Sequence, residues 1–256
     1  MSSVIIKDTA VPVTGLTGDI DVQRVIDTFV PFQDWVKSVD AGITVKSILI
    51  QNVDATPNRI LFVKMKVEAY VADGTHPIPG IILLRGGAVA CLVEVICENQ
   101  SYALLVEQPR LAVGKSNFLE AVAGMIDGSS NFAGVVVQEM KEETGISLTE
   151  KDMIDLTELA HGKEVRGFYP SVGLCDEFIR LYLYRVEMTK SQMTQLEGKL
   201  AGLTEHGEYI RLKIVPLDSL WKATHDSKTL ACLYLRDKLL AEGRIPGPLP
   251  YNPQFS

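Results

Sequence analysis

The sequence predicts an α+β fold in which helices are inserted between strands, preceded by a strand-rich N-terminal segment. Three observations lead there. In residues 59–71, Phe62, Lys64, Lys66 and Glu68 alternate with Val63, Met65, Val67 and Ala69, the period of a half-buried strand. Between Gly124 and Ile146, Ala133, Val136, Val137 and Met140 fall on one flank at helical spacing, so that stretch can lay an apolar stripe on a core. A second long helical pattern, residues 218–242, closes the chain after further strands, which is the order of a mixed α+β domain.

Each element has its own signal. Residues 1–17 show no clear period and are expected to be irregular. Residues 21–39 read as one or two short helices with Val22, Val25, Ile26 and Phe29 on one face, interrupted at Pro31. Residues 45–53 and 59–71 read as strands, and Asp73-Gly74 as a turn. Residues 80–96 are mostly apolar and β-branched, so they read as buried strand broken near Arg85-Gly86-Gly87. Glu98-Asn99-Gln100 turns the chain into a returning strand, 101–107. A short strand, 118–123, leads to Gly124. The helix that follows has Ser129, Ser130 or Asn131 as its N-cap and stops at Gly145-Ile146. Residues 155–159, 178–185 and 208–215 read as strands. Residues 191–200 and 218–242 read as helices, the latter capped by Asp218 and stopped by Gly243. Three parts are expected: a helix and strand subdomain over 1–82, a main domain over 83–245, and a proline-rich tail over 246–256.

Composition narrows the function. The chain has 256 residues, of which 46% are hydrophobic, enough for a sizeable core. Its net charge of −7 and lack of a basic tract argue against nucleic acid and anionic membrane as partners. No apolar run is long enough to span a bilayer. The N-terminus has neither a signal-peptide core nor an Arg-rich transit pattern, so a cytoplasmic protein is expected. Cys91, Cys97, Cys175 and Cys232 show no CxxC spacing and read as reduced thiols packed in a core. The four histidines are scattered and suggest no zinc site.

The chemistry is concentrated in one helical stretch. Glu139, Glu142 and Glu143 stand at i, i+3 and i+4, which places them on one side of a helix. Carboxylates so gathered repel each other unless a cation lies between them. Hard divalent ions with oxygen ligands, such as Mg²⁺ or Mn²⁺, fill that role and bridge phosphate oxygens. A solvated Glu/Lys helix face has the same local spacing, so the flanking residues decide. Gly124 precedes Glu139 by fifteen positions, and Gly145-Ile146 closes the helix.

Residues 124–146 resemble the Nudix box, G-x5-E-x7-R-E-U-x-E-E-x-G-U with U a bulky apolar residue. Gly124, Glu139, Met140, Glu142, Glu143, Gly145 and Ile146 match in register. Ser130 stands where the first Glu is expected and Gln138 where Arg is expected. The resemblance implies the Nudix α/β/α sandwich. Leu119-Glu-Ala-Val-Ala-Gly-Met-Ile-Asp127 and Val106-Glu-Gln-Pro-Arg110 resemble the ADP-ribose and ADP-sugar diphosphatase branch. Within that branch the likeness is closest to plant-type ADP-sugar diphosphatases, through Ile48-Leu-Ile-Gln-Asn-Val-Asp54, Phe168-Tyr-Pro-Ser-Val-Gly-Leu-Cys-Asp-Glu177 and Gly202-Leu-Thr-Glu-His-Gly-Glu-Tyr-Ile210. Together these runs cover residues 45–240.

What the resemblance implies can be assigned position by position. The Ala123 carbonyl, Glu139 and Glu143 look like metal ligands, with Glu142 as a further ligand or a support. Glu208 matches the distal glutamate that orients or deprotonates water, and Glu205 is the other candidate. Arg110 matches a diphosphate clamp, since a guanidinium fork suits phosphate geometry. Glu120 either touches the sugar or nucleoside or orders its strand. Arg166 and Ser171 lie on an expected substrate loop. The proline that many ADP-ribose diphosphatases carry about sixteen residues past the box is absent near His161-Gly162, which fits an ADP-sugar or UDP-sugar preference. The implied reaction is Mg²⁺- or Mn²⁺-dependent hydrolysis of a nucleoside diphosphate sugar to a nucleoside monophosphate and a sugar 1-phosphate, by a homodimer. The competing reading, from Ser130 and Gln138, is a catalytically weak or inactive Nudix-fold protein that senses a nucleotide sugar.

Overall fold

In the computed structural model, which describes residues 2–72, 74–126, 131–202 and 209–247, the alternating segments form two separate sheets. The chain divides into two units: Met1–Gly87 with Ser171–Glu177, and Ala88–Pro170 with Phe178–Ser256.

The first unit holds β1 (Ser2–Ile6), β2 (Thr9–Gly15), β3 (Ile43–Ala55), β4 (Ile60–Val71), β5 (Pro77–Ile78) and β6 (Ile81–Leu84) in the order β1-β2-β3-β4-β5, with β6 also on β4. Residues 1–17 are therefore not irregular. Val4, Ile6, Val11 and Val13 are buried at a period of two, and Lys7-Asp8, both at positive φ, make the hairpin turn without the Asn or Gly that usually marks one. The helices α1 (Val22–Thr28) and α2 (Val30–Ser38) form as expected. Asp21 accepts the Arg24 amide at 2.9 Å, and Pro31 sits in the first turn of α2, where its missing amide is harmless. Val25, Phe29 and Phe32 pack on the sheet.

The expected boundary after residue 82 falls inside β6, which pairs with Val63–Lys66 of β4. The first unit consequently runs to Gly87. Its outlying piece, Ser171–Glu177, is stitched to β6 by Leu83 donating to the Leu174 carbonyl at 2.8 Å. The Asp176 carboxyl also accepts the Arg85 and Gly86 amides at 2.7 and 3.1 Å.

The second unit is built on β7 (Ala88–Cys97), β8 (Gln100–Arg110), β9 (Lys115–Glu120), β10 (Val122–Met125), β11 (Met153–Asp155), β12 (Ile179–Glu187), β13 (Leu200–Ala201) and β14 (Ile210–Pro216). The order is β11-β12-β7-β8-β14-β13, with β10 on β7 and β9 on β8. β7 is parallel to β12 and buried throughout, so its residues feed two cores. Val89, Cys91, Val93 and Val95 meet Val136 and Met140, in or just after α3 (Phe132–Glu139). Ala90 and Leu92 meet Leu156 of α4 (Leu156–His161) and Cys232 and Leu239 of α7 (Ser227–Ala241). Helices thus cover both faces of one sheet, the α/β/α sandwich that the resemblance implied. All four cysteines are free, and Cys91, Cys97 and Cys232 are buried.

Three elements differ from the sequence reading. Residues 155–159, read as strand, are strand only to Asp155. Its side chain accepts the Glu158 amide at 2.8 Å and starts α4 instead. The helix at 191–200 stops at Leu196 in α5 (Lys190–Leu196). The helix at 218–242 is interrupted: α6 (Leu220–Ala223) ends at Thr224, which is extended, and the cap of α7 is Asp226, not Asp218.

Candidate active site

The site grows from a fork in the sheet. β7 and β8 pair from Val93 opposite Leu104 to Cys97 opposite Gln100. Beyond that they part, and the segment carrying β9 and β10 fills the gap. Glu120 stands opposite Val106 of β8, and Val122 opposite Cys91 of β7. Residues 119–124 therefore lie where the two strands separate. The α6–α7 junction grips them: Thr224 Oγ donates to the Leu119 carbonyl at 2.6 Å, and the Ala121 amide donates to Thr229 Oγ at 2.7 Å.

The box helix begins on Asn131, one of its three expected caps, whose side chain accepts the Gly134 amide at 3.0 Å. The regular α-turns end at Glu139. Met140–Thr144 is a π-helical turn closed by Gly145 at φ 76, so the glutamates do not share one uniform face. Wide turns of this kind recur at functional sites. Glu143, buried at 6% exposure, accepts the Ala123 amide at 3.3 Å and the Gln108 side-chain amide at 3.5 Å. Burial pushes its carboxyl up to about 8, and the charges of Glu139 and Glu120 add to this, against the Ala123 amide and Arg110. Glu139 lies directly over Gly124: a Cβ on Gly124 would overlap its carboxyl group. Glu142 is turned elsewhere and accepts from Gln138 Nε2 at 2.9 Å.

The expected set of three carboxylates is therefore not gathered. Among the described residues no group of three or more His, Cys, Asp or Glu stands close enough to hold a metal ion. Glu139 and Glu143 do stand together, close enough to raise the Glu143 carboxyl. The Ala123 carbonyl is the third oxygen that the resemblance assigns to such a cation. Its amide points to Glu143 rather than into the β7 ladder, and in an antiparallel pair a residue's amide and carbonyl face the same way. Two carboxylates and a carbonyl fit a hard divalent cation.

Arg110 Nε donates to Glu120 Oε1 at 2.6 Å. Its side chain is 43% exposed, and its terminal nitrogens have no hydrogen-bond partner among the described residues. Glu120 is 1% exposed, and Lys228 holds its other oxygen. Of its two expected roles, the geometry supports ordering the strand over touching a sugar. Arg166 lies over the Phe178 ring at 4.1 Å, beside Phe132 and Tyr169. Ser171 belongs to the first unit. Glu208, Glu205 and Ser130 lie outside the described residues.

Sequence reasoning missed Gln108, Asp226, Lys228 and Thr229. Gln108 lay within the Val106–Arg110 run that carries the resemblance, but no role was assigned to it. The other three were hidden by reading 218–242 as one helix. Thr224-His225-Asp226, three weak helix formers in a row, was the available sign of a break and a fresh cap.

The sequence model of the NUDIX domain matches residues 85–234. "Nudix hydrolase 14, chloroplastic" of Arabidopsis thaliana is 37% identical over 234 residues, covering 88% of this chain and 75% of that protein. Among solved structures, one described as "Crystal structure of ADP compounds hydrolase" aligns with 79% of this chain and 99% of its own, at 15% identity and a TM-score of 0.45.

Proposed function

The chain belongs to the Nudix family and is a hydrolase, and on that premise we propose that it splits the diphosphate bond of a nucleoside diphosphate sugar, an ADP-sugar, ADP-ribose or a UDP-sugar. The products are a nucleoside monophosphate and a sugar 1-phosphate. The observation that carries this reading is the pairing of Glu139 with buried Glu143 beside the Ala123 amide, next to an arginine whose outer nitrogens have no partner among the described residues. Glu139, Glu143 and the Ala123 carbonyl would hold Mg²⁺ or Mn²⁺, which supplies charge neutralisation and an acidified water.

The protein's own part is positioning. Gly124 leaves room for the Glu139 carboxyl. Gln108 and the Ala123 amide orient Glu143. Gln138 orients Glu142 through an uncharged donor, where an arginine would add its own charge and a fork that matches the carboxylate. Arg110 offers its terminal fork to the two phosphates. Glu208 is the residue we assign to the attacking water, with Glu205 as the other candidate. We also propose a homodimer.

A panel of ADP-ribose, ADP-glucose, UDP-glucose, GDP-mannose and NADH with Mg²⁺ or Mn²⁺ tests the reading. Release of a nucleoside monophosphate from an ADP- or UDP-sugar is expected. Saturable binding without any turnover would instead indicate a sensor built on this fold.

A further inference from the structure

Glu120 is enclosed and has two cations on it. Arg110 reaches Oε1 through Nε at 2.6 Å, and Lys228 reaches Oε2. Lys228 is itself fixed. Its side chain is 12% exposed, and it also donates to Asp226 Oδ1 at 2.9 Å. Asp226 Oδ2 accepts the Thr229 amide at 3.0 Å and the Thr229 hydroxyl at 2.5 Å. That same hydroxyl accepts the Ala121 amide. The first turn of α7 thus delivers an ammonium group to one chosen oxygen of one buried carboxylate, three residues before the Ala123 carbonyl.

We propose that Lys228 is a positioning residue of the active site: by occupying Glu120 Oε2 it limits Arg110 to a single bond and leaves the terminal guanidinium nitrogens for an anionic substrate. This rests on the reading of Arg110 as the diphosphate clamp. A guanidinium beside a free carboxylate pairs with it twice, through two parallel N–H bonds. A buried carboxylate oxygen without a donor is costly. With Lys228 gone, the donors at hand for Oε2 are the outer nitrogens of Arg110. The arginine would fold back on Glu120 and withdraw from the phosphates. A lysine suits the task because its three donors serve Glu120 and Asp226 together. The cluster is balanced, with Arg110 and Lys228 against Glu120 and Asp226, so the arrangement selects which atoms pair without adding net charge.

The test is steady-state kinetics with ADP-ribose and with UDP-glucose, each with Mg²⁺, alongside thermal melting. Lys228→Met is expected to raise KM about tenfold or more, as a bidentate pair takes the fork away, while kcat stays within about threefold. Lys228→Arg, which can still fill Oε2, is expected to keep the wild-type KM, and Lys228→Gln to fall between. Adding Glu120→Gln to Lys228→Met removes the second carboxylate oxygen and is expected to bring KM back toward wild type. A merely structural lysine would lower the melting temperature and leave KM unmoved in all these variants, and that result overturns the inference. Arg110→Ala separates the two levels. If it raises KM and Lys228→Met does not, only the role of Lys228 fails. If Arg110→Ala leaves KM unchanged, or wild type neither hydrolyses nor binds either compound, the reading of the site fails and the inference with it.

Discussion

Gly124 and Glu143 show how single residues set this site. The Glu139 carboxyl occupies the space a side chain on residue 124 would need. Gly124→Ala is expected to push that flexible side chain aside at little cost in stability and to lower kcat by about a hundredfold, the scale of a misplaced catalytic group. Unchanged turnover would mean that Glu139 is not needed where it stands. Glu143 makes a pH prediction. Burial, followed by repulsion from Glu139, raises its carboxyl from the ordinary 4.5 to about 8. The stability it contributes is complete below 4.5 and is lost as pH rises through about 8, because ionising it in place is penalised. With its carboxyl raised to about 8, Glu143 is expected to carry its proton at pH 7 in the metal-free protein, and Mg²⁺ bound there would displace it. Calorimetric titrations with Mg²⁺ in two buffers of different ionisation enthalpy should therefore show close to one proton released at pH 7 and much less at pH 9. Gln138 already donates to Glu142. Gln138→Arg should raise turnover or metal affinity about fivefold, the worth of giving that carboxylate a charged donor in place of an uncharged one. Kinetics unchanged at every Mg²⁺ level would contradict that.

Elements were legible in the sequence where one period governed them. The alternation of 59–71 became β4, and the box pattern gave α3, with Asn131 as one of the three caps it offered, and the glycine that closes the turn after it. The failures share a cause: local bonds that leave no periodic trace. The Lys7-Asp8 hairpin lacks the usual turn residues. Asp155 starts a helix, by accepting the Glu158 amide, inside a run read as strand. Thr224 breaks the last helix because its hydroxyl is drawn to the Leu119 carbonyl. The turn carrying Glu142 and Glu143 widens into a π-helix, which the 3.6-residue period cannot foresee. Long-range pairings were likewise invisible. Glu94 of β7 is fully buried and accepts from Ser101 Oγ at 2.9 Å and from Arg185 of β12 at 2.7 Å. Arg236 of α7 binds it as well. This cluster joins the central strand to the helix that carries Lys228. Glu94→Ala should cost about 3–5 kcal/mol, as removal of one side of a buried ion cluster does. A loss below 1 kcal/mol in chemical denaturation would show that the cluster is dispensable.

At the scale of the whole molecule, one sequence makes two sheets with separate cores. The second unit holds every described residue assigned to the box, the Ala123 carbonyl and Arg110. The first unit presents Ile5, Leu16, Ile43 and Ile81 at its surface, apolar side chains that a second copy could cover. Light scattering at micromolar concentration should give the mass of a dimer, and a monomer would count against it. Family and sandwich were readable from residues 119–146 because their spacing is long and fixed. The Lys228–Glu120–Arg110 arrangement was not, since a hundred residues separate its ends. The decisive measurement is nucleoside monophosphate release from ADP-ribose and ADP-glucose, with and without Mg²⁺, for wild type and Glu143→Gln. Release by the wild type is expected to need Mg²⁺ and to fall at least about a hundredfold in the variant. Equal rates in the two proteins, or release that ignores the metal, would contradict this reading.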